Sequence, residues 1–215
     1  MVPLTTVRRI GRSENGRKWR SWRSAGVTAL LAVLATACTS VLEHPGVTVP
    51  CAALRYTVTT NDVEISQSRL DAVSAAVEEF GALVGRPVEL VIDEAATAAG
   101  NGPGDPVVFE LAWPEDDPDG LGFAEPHITG SSFDGGWVML NPTIRNAPTG
   151  LIRRLVLHEL GHLHGLAHVD DAGELMDPSL AAGDWGPGDL LGLFTTLDGG
   201  CQGSTLLAEL LVFVE

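Results

Sequence analysis

The residues best equipped for chemistry are His158-Glu159-Leu160-Gly161-His162. Residues four apart project from one face of a helix, so both imidazoles can reach one metal ion. Glu159 stands between them in sequence, placed to face a water on that ion rather than to bind the ion itself. Neutral imidazoles leave a zinc ion its full charge, which acidifies such a water. Glu159 can then accept the proton as hydroxide attacks a carbonyl, and pass it to the leaving amine. The run continues as His162-Leu163-His164-Gly165-Leu166-Ala167-His168. Gly165 can adopt positive φ, ending the helix and turning the chain. The turn returns His168 as a third nitrogen ligand and leaves one tetrahedral position open, the pattern of a catalytic zinc rather than a closed structural one. His164 lies two residues from His162, faces elsewhere, and reads as surface. Asp170 and Asp171 could orient a histidine or simply form a polar turn.

Eight residues beyond His168 lies Met176, within Leu175-Met176-Asp177-Pro178. The H-E-x-x-H-x-x-G-x-x-H sequence with a following methionine turn is the metzincin signature, and the chain resembles that clan. The resemblance implies a zincin-like fold in which Met176 forms an apolar floor beneath the three histidines. Within the clan, the spacing to Met176 and the position of Pro178 are similar to the matrixins, especially their compact bacterial relatives. Astacins and serralysins place a metal-binding tyrosine two residues after the methionine, and the only tyrosine here is Tyr56. Gly120–Pro126 and Gly136–Asn141 resemble the matrixin segment running into the edge strand that holds substrate. That likeness implies Val138, Met139 and Leu140 as substrate-binding residues. Trp185–Leu193 resembles the start of the family's last helix. The resemblance covers roughly residues 52–198. It lacks the family's structural-zinc histidine cluster, since His127 stands alone upstream, and residues 199–215 have no counterpart in it.

The elements that must position these residues are legible in the apolar pattern. Strand-forming alternation marks 54–58, and further strands are expected at 86–92, 107–112 and 137–141. Leu70, Val73, Val77, Phe80 and Val84 fall at helical spacing between Ser66 and Gly85, and a second helix covers 150–165. The expected fold class is α+β and metzincin-like. It has a twisted, mostly parallel sheet of four to five strands with an edge strand at the cleft, two long helices and a C-terminal helix. Residues 199–215 could add a helix or a strand.

The chain has 215 residues, 45% hydrophobic, with a formal charge of −15. Such a balance excludes a disordered chain and argues against a nucleic-acid surface. Seven of the 13 basic residues precede residue 25; from Cys38 onward 6 basic residues face 27 acidic ones, a net of −21. The basic stretch leads into thirteen uncharged residues, 25–37, too short to span a bilayer and of the length of a signal-peptide core. Leu34-Ala-Thr-Ala-Cys38 resembles a bacterial lipoprotein box, although Leu34 lies one position further from the cysteine than usual. Residues 1–37 are thus read as a signal peptide, 38–50 as a tether lipidated at Cys38, and 51–215 as the catalytic domain. Plain secretion, with cleavage before an ordinary cysteine, is the other reading. In an oxidising compartment Cys51 and Cys201 form an even pair, read as a disulfide rather than two free cysteines. Glu115, Asp116, Asp117 and Asp119 could hold Ca2+ through oxygen ligands, or are a solvated acidic loop. Together these point to an exported, monomeric endopeptidase with one catalytic Zn2+, acting on peptide or protein substrates, lipid-anchored on the extracytoplasmic face of the cell membrane or secreted. The alternative is a surface binding lipoprotein that retains the zinc without turnover. Glu159 separates the two, because a binding relic has no need of a general base.

Overall fold

Leu54–Thr59, with Leu54 and Tyr56 buried, forms strand β1 and founds the sheet. The computed structural model describes residues 42–91, 105–113 and 120–213, all within one unit spanning Cys38–Glu215. The acidic loop read as a calcium site, the leader and Cys38 lie outside the described residues. After β1 come helix α1 (Gln67–Val84), a short β2 (Val88–Leu90) and β3 (Val107–Leu111). They are followed by β4 (Gly122–Thr129), β5 (Ser132–Leu140), a 3-10 turn at Pro142–Asn146, and α2 (Thr149–Leu163). The chain closes with α3 (Pro187–Thr196) and α4 (Leu206–Val212). The fold is α+β: a mixed five-stranded sheet ordered β2-β1-β3-β5-β4, with four helices among the described residues. Pairing is parallel from β2 through β5 (Leu54 opposite Val88, Tyr56 opposite Val107, Val108 opposite Trp137) and antiparallel only for β4, where Gly122 faces Leu140. No described helix is long and apolar enough to cross a membrane.

Both long helices appear within two residues of their expected bounds, because each carries a continuous apolar stripe. α1 buries Val73, Val77, Phe80 and Val84, and α2 buries Ile152, Leu155, Val156 and Leu160. The sheet departs further from expectation. β5 starts five residues earlier, and it is an inner strand lying between β3 and β4. The edge at this end is β4. The sequence reading assigned no strand to this segment; an edge strand tolerates proline, and Pro126 sits where the register slips before Ile128. The expectation of an edge strand at 137–141 is therefore corrected by one strand.

The terminal segments do more than their composition suggested. Residues 42–49, read as part of a tether, are bonded to the domain. The Glu43 N–H donates to Gly165 C=O at 2.8 Å, Leu42 bridges Leu166, and the Val49 N–H donates to Thr196 C=O at 2.8 Å. The segment after α3 caps α1. Cys201 and Thr205 N–H groups and the Ser204 hydroxyl donate to the carbonyls of Val84 and Leu83, which a helix end leaves unpaired. Gly85, at φ +74, admits this segment; a Cβ there would meet Ser204 N at 2.6 Å.

Cys51 and Cys201 are joined by a disulfide across 150 residues of sequence. It ties the chain just before β1 to the α1 cap. Closing so long a loop restricts the unfolded chain by about 2–5 kcal/mol. The Cys51→Ala/Cys201→Ala double variant is expected to lose stability of that order in urea unfolding, with the core otherwise intact; an unchanged midpoint would contradict this.

Candidate functional site

Helix α2 supplies the first two imidazoles and Glu159 from its last turns. His158 is buried and His162 half-buried. Gly165 follows the helix at φ +86, and the reversal brings His168 beside them. The three Nε2 atoms lie 3.0–3.1 Å from one another. His158 Nδ1 is 2.8 Å from Leu175 C=O, and His162 Nδ1 is 2.8 Å from Leu166 C=O. A carbonyl can only accept, so both Nδ1 atoms carry the proton and both Nε2 lone pairs point inward. Converging lone pairs repel unless a cation stands between them. At this spacing one ion at about 2.0–2.1 Å can touch all three nitrogens. The triad is the single group of three or more metal-ligating side chains among the described residues. Burial holds the His158 pKa down to about 4 and lowers that of His162, which favours the neutral, ligating form.

Met176 is fully buried against α2, and a Cβ on Gly161 would meet its sulfur at 2.5 Å. Gly161 is thus the close-approach point between helix and Met176. Glu159 is buried as well; its Oε2 has no hydrogen-bond partner, and desolvation pushes its pKa up to about 8. Edge strand β4 lies directly over it. A Cβ on Gly122 would come within 2.2 Å of Glu159 Oε1, so only glycine allows the strand this close. One cavity is shared by the three histidines, Glu159, Gly122 and Glu43, with Leu155, Pro178 and Leu180 among its apolar lining.

Other site expectations need correction. Val138 and Leu140 are fully buried, and β5 is paired on both sides, so residues 138–140 present no free backbone edge to a substrate. The available edge is on β4. There Asn141 N–H is taken by Leu121 C=O at 2.9 Å, so by strand alternation Gly122 and Ala124 direct their backbone groups outward. His164, read as surface, is buried: its Nδ1 donates to Leu160 C=O, Arg86 Nη1 lies 2.9 Å from its Nε2, and its ring meets Phe80 edge-on. It is a packing residue, not a ligand. Asp170 and Asp171 do not orient the histidines; Asp171 accepts from Gly173 N–H in a turn, and backbone carbonyls do the orienting instead.

The sequence reading missed the support behind this ring. Leu175 N–H donates to Asp189 Oδ2 at 2.6 Å while its carbonyl takes the His158 proton. Asp189 Oδ2 also accepts from Gly186 N–H at 3.1 Å. Glu174 in turn accepts from Gly188 and Asp189 N–H groups, 2.9 Å each, at the start of α3. Cβ atoms on Gly186 or Gly188 would press on its carboxylate. The Gly-Pro-Gly-Asp run at 186–189 was the available signal.

No family model and no curated protein matches this chain. Among solved structures, metalloproteinase-II from Bacteroides fragilis is similar over 76% of this chain and 61% of its own, at 12% identity and a TM-score of 0.49. A second, titled as the GM1-bound form of the ECX AB5 holotoxin, matches over 54% of this chain and 52% of its own, at 17% identity and a TM-score of 0.34. The chain thus spans about half to three-fifths of those chains.

Burial and the adjoining Glu174 carboxylate raise the Asp189 pKa toward about 7, far above an ordinary carboxyl. The folded state therefore keeps a proton that the unfolded chain releases near pH 4. This group's contribution to stability is fully present below about pH 4 and is lost as pH rises toward 7. Comparing urea midpoints from pH 4 to 8, Asp189→Asn should lack this loss and so gain relative to wild type as pH rises. Parallel profiles for the two proteins would refute it.

Proposed function

We propose that this chain is a zinc-dependent endopeptidase. The carrying observation is Glu159: a buried carboxyl with one unpartnered oxygen, lining the same cavity as three imidazoles whose Nε2 atoms converge. His158, His162 and His168 would hold the ion. Three nitrogens without a charged ligand suit zinc. When bound, zinc supplies a Lewis acid that polarises a carbonyl and makes water acidic enough to be a nucleophile near neutral pH.

The remaining work falls to the chain. Glu159 lies against the cavity with its carboxyl shielded by β4, placed to accept a proton and hand it to a departing amine. Its raised pKa belongs to burial alone; a cation held by the neighbouring imidazoles opposes that shift and favours the carboxylate. The outward backbone groups of Gly122 and Ala124 can pair with an extended peptide and set its carbonyl over the histidines. The Leu175 and Leu166 carbonyls fix the His158 and His162 rings, so little is left to reorganise on substrate binding. A protein that merely stored a metal would gain nothing from a desolvated carboxyl beside it.

The same reading places the enzyme outside the cytoplasm, anchored through lipid on Cys38. Its support is the leader pattern and the Cys51–Cys201 disulfide, a bond that persists in oxidising compartments.

Glu159→Gln is expected to keep one equivalent of zinc by elemental analysis and to cut a peptide library at least about a hundredfold more slowly by mass spectrometry. Hydrolysis that survives both this change and chelation would sink the proposal. In cells, Cys38→Ala should move the protein from the membrane to the soluble fraction; unchanged fractionation would remove the anchor.

A further inference from the structure

The metal cavity has one wall that none of the catalytic roles uses. Glu43 lines it, brought there by backbone rather than by its side chain: its N–H is bonded to Gly165 C=O, and Leu42 bridges Leu166. Both partners lie in the turn between His162 and His168. The Glu43 side chain is exposed and has no hydrogen bond or ion pair among the described residues. Among the described residues it is, apart from Glu159, the only carboxylate in the lining, and no described lysine or arginine stands there to neutralise it.

The two ends of the cavity therefore differ. Leu155 lines it one turn before His158, while Glu43 is fastened to Gly165, just past the helix end. From Leu155 to His162 the helix rises about 10 Å, roughly three residues of an extended peptide. A peptide lying along β4 thus meets an apolar wall at one end and a free carboxylate at the other. The domain around it has a net charge of −21 from Cys38 onward, which draws cations toward the cleft and repels acidic chains.

We propose that Glu43 is a specificity-determining residue that makes the cleft select peptides carrying a lysine or arginine on one side of the central bond. This rests on reading the cleft as a peptide site. The selected ligands are cationic, extended segments with an apolar residue toward the Leu155 end. The contact is partly open to solvent, so its strength is that of an exposed ion pair and it weakens with salt.

The test measures binding, separately from turnover. Zinc-loaded Glu159→Gln protein is titrated by fluorescence anisotropy with labelled peptides of one apolar core, bearing Lys, Ala or Glu on either side of the central bond. At low salt the Lys peptide should bind about fivefold more tightly than its Glu counterpart, on one side only. Adding Glu43→Gln should bring that ratio near one, Glu43→Lys should invert it, and 0.5 M salt should shrink it. Glu43's backbone makes the structural bonds, so either change leaves the fold in place. A ratio that ignores both Glu43 substitutions overturns the inference. Cleavage of the same peptides by the Glu159-intact protein reads the peptidase activity independently. A Glu43-dependent preference without cleavage would uphold this inference and remove the hydrolase reading, and cleavage without the preference would do the reverse.

Discussion

Three imidazole nitrogens converge to about 3 Å, two of them with bare lone pairs held inward, and much of the surrounding structure serves to make that arrangement tolerable. Left alone, the rings would rotate away or take up protons. Two restraints prevent this. Burial penalises the charged imidazolium, and carbonyls of Leu175 and Leu166 hold the outer ring protons so that the inner nitrogens stay bare. The carbonyls belong to chain segments after the helix, so the ring geometry is only as good as the loops that carry them.

Those loops are fixed by a second set of interactions that never touches the cavity. The Leu175 peptide is a relay: its carbonyl orients His158 and its N–H is held by Asp189 at the start of α3. Glu174 answers from the other side by capping the same helix. Two carboxyl groups are thereby buried together, a costly arrangement that the helix N-terminus and a retained proton offset. Further out, the disulfide and the capping of α1 by residues 201–205 tie the end of the chain into the same body. Stability and site geometry are thus coupled through α3 rather than through the sheet alone.

The cleft is shaped by close approaches. Gly122 lets the edge strand lie on Glu159, and Gly161 lets Met176 press against the metal helix. Each removes a Cβ where a backbone must meet a side chain, a carboxyl in one case and a sulfur in the other. The same economy explains why β4 can carry Gly122 and Pro126 among its strand formers: it is an edge, so it can accept a poorer ladder in exchange for proximity.

By itself the sequence determined the candidate metal-ligand set and the two long helices. The helical period puts His158 and His162 on one face whatever the remainder of the chain does, and Gly165 was the residue able to turn His168 back. The apolar stripes of α1 and α2 are local and continuous, so their bounds were legible too. Tertiary structure alone decided which strand is the edge, because that depends on pairing between distant segments and the outermost strand had the weakest strand signature. It likewise buried His164 beneath Phe80 and Arg86, drawn from an element 78 residues away. It gave the Leu175 peptide to His158 and Asp189, and it bonded residues 42–49 to the domain with Glu43 on the cavity wall. None of these follows from spacing, since backbone hydrogen bonds between remote segments leave no mark on residue type.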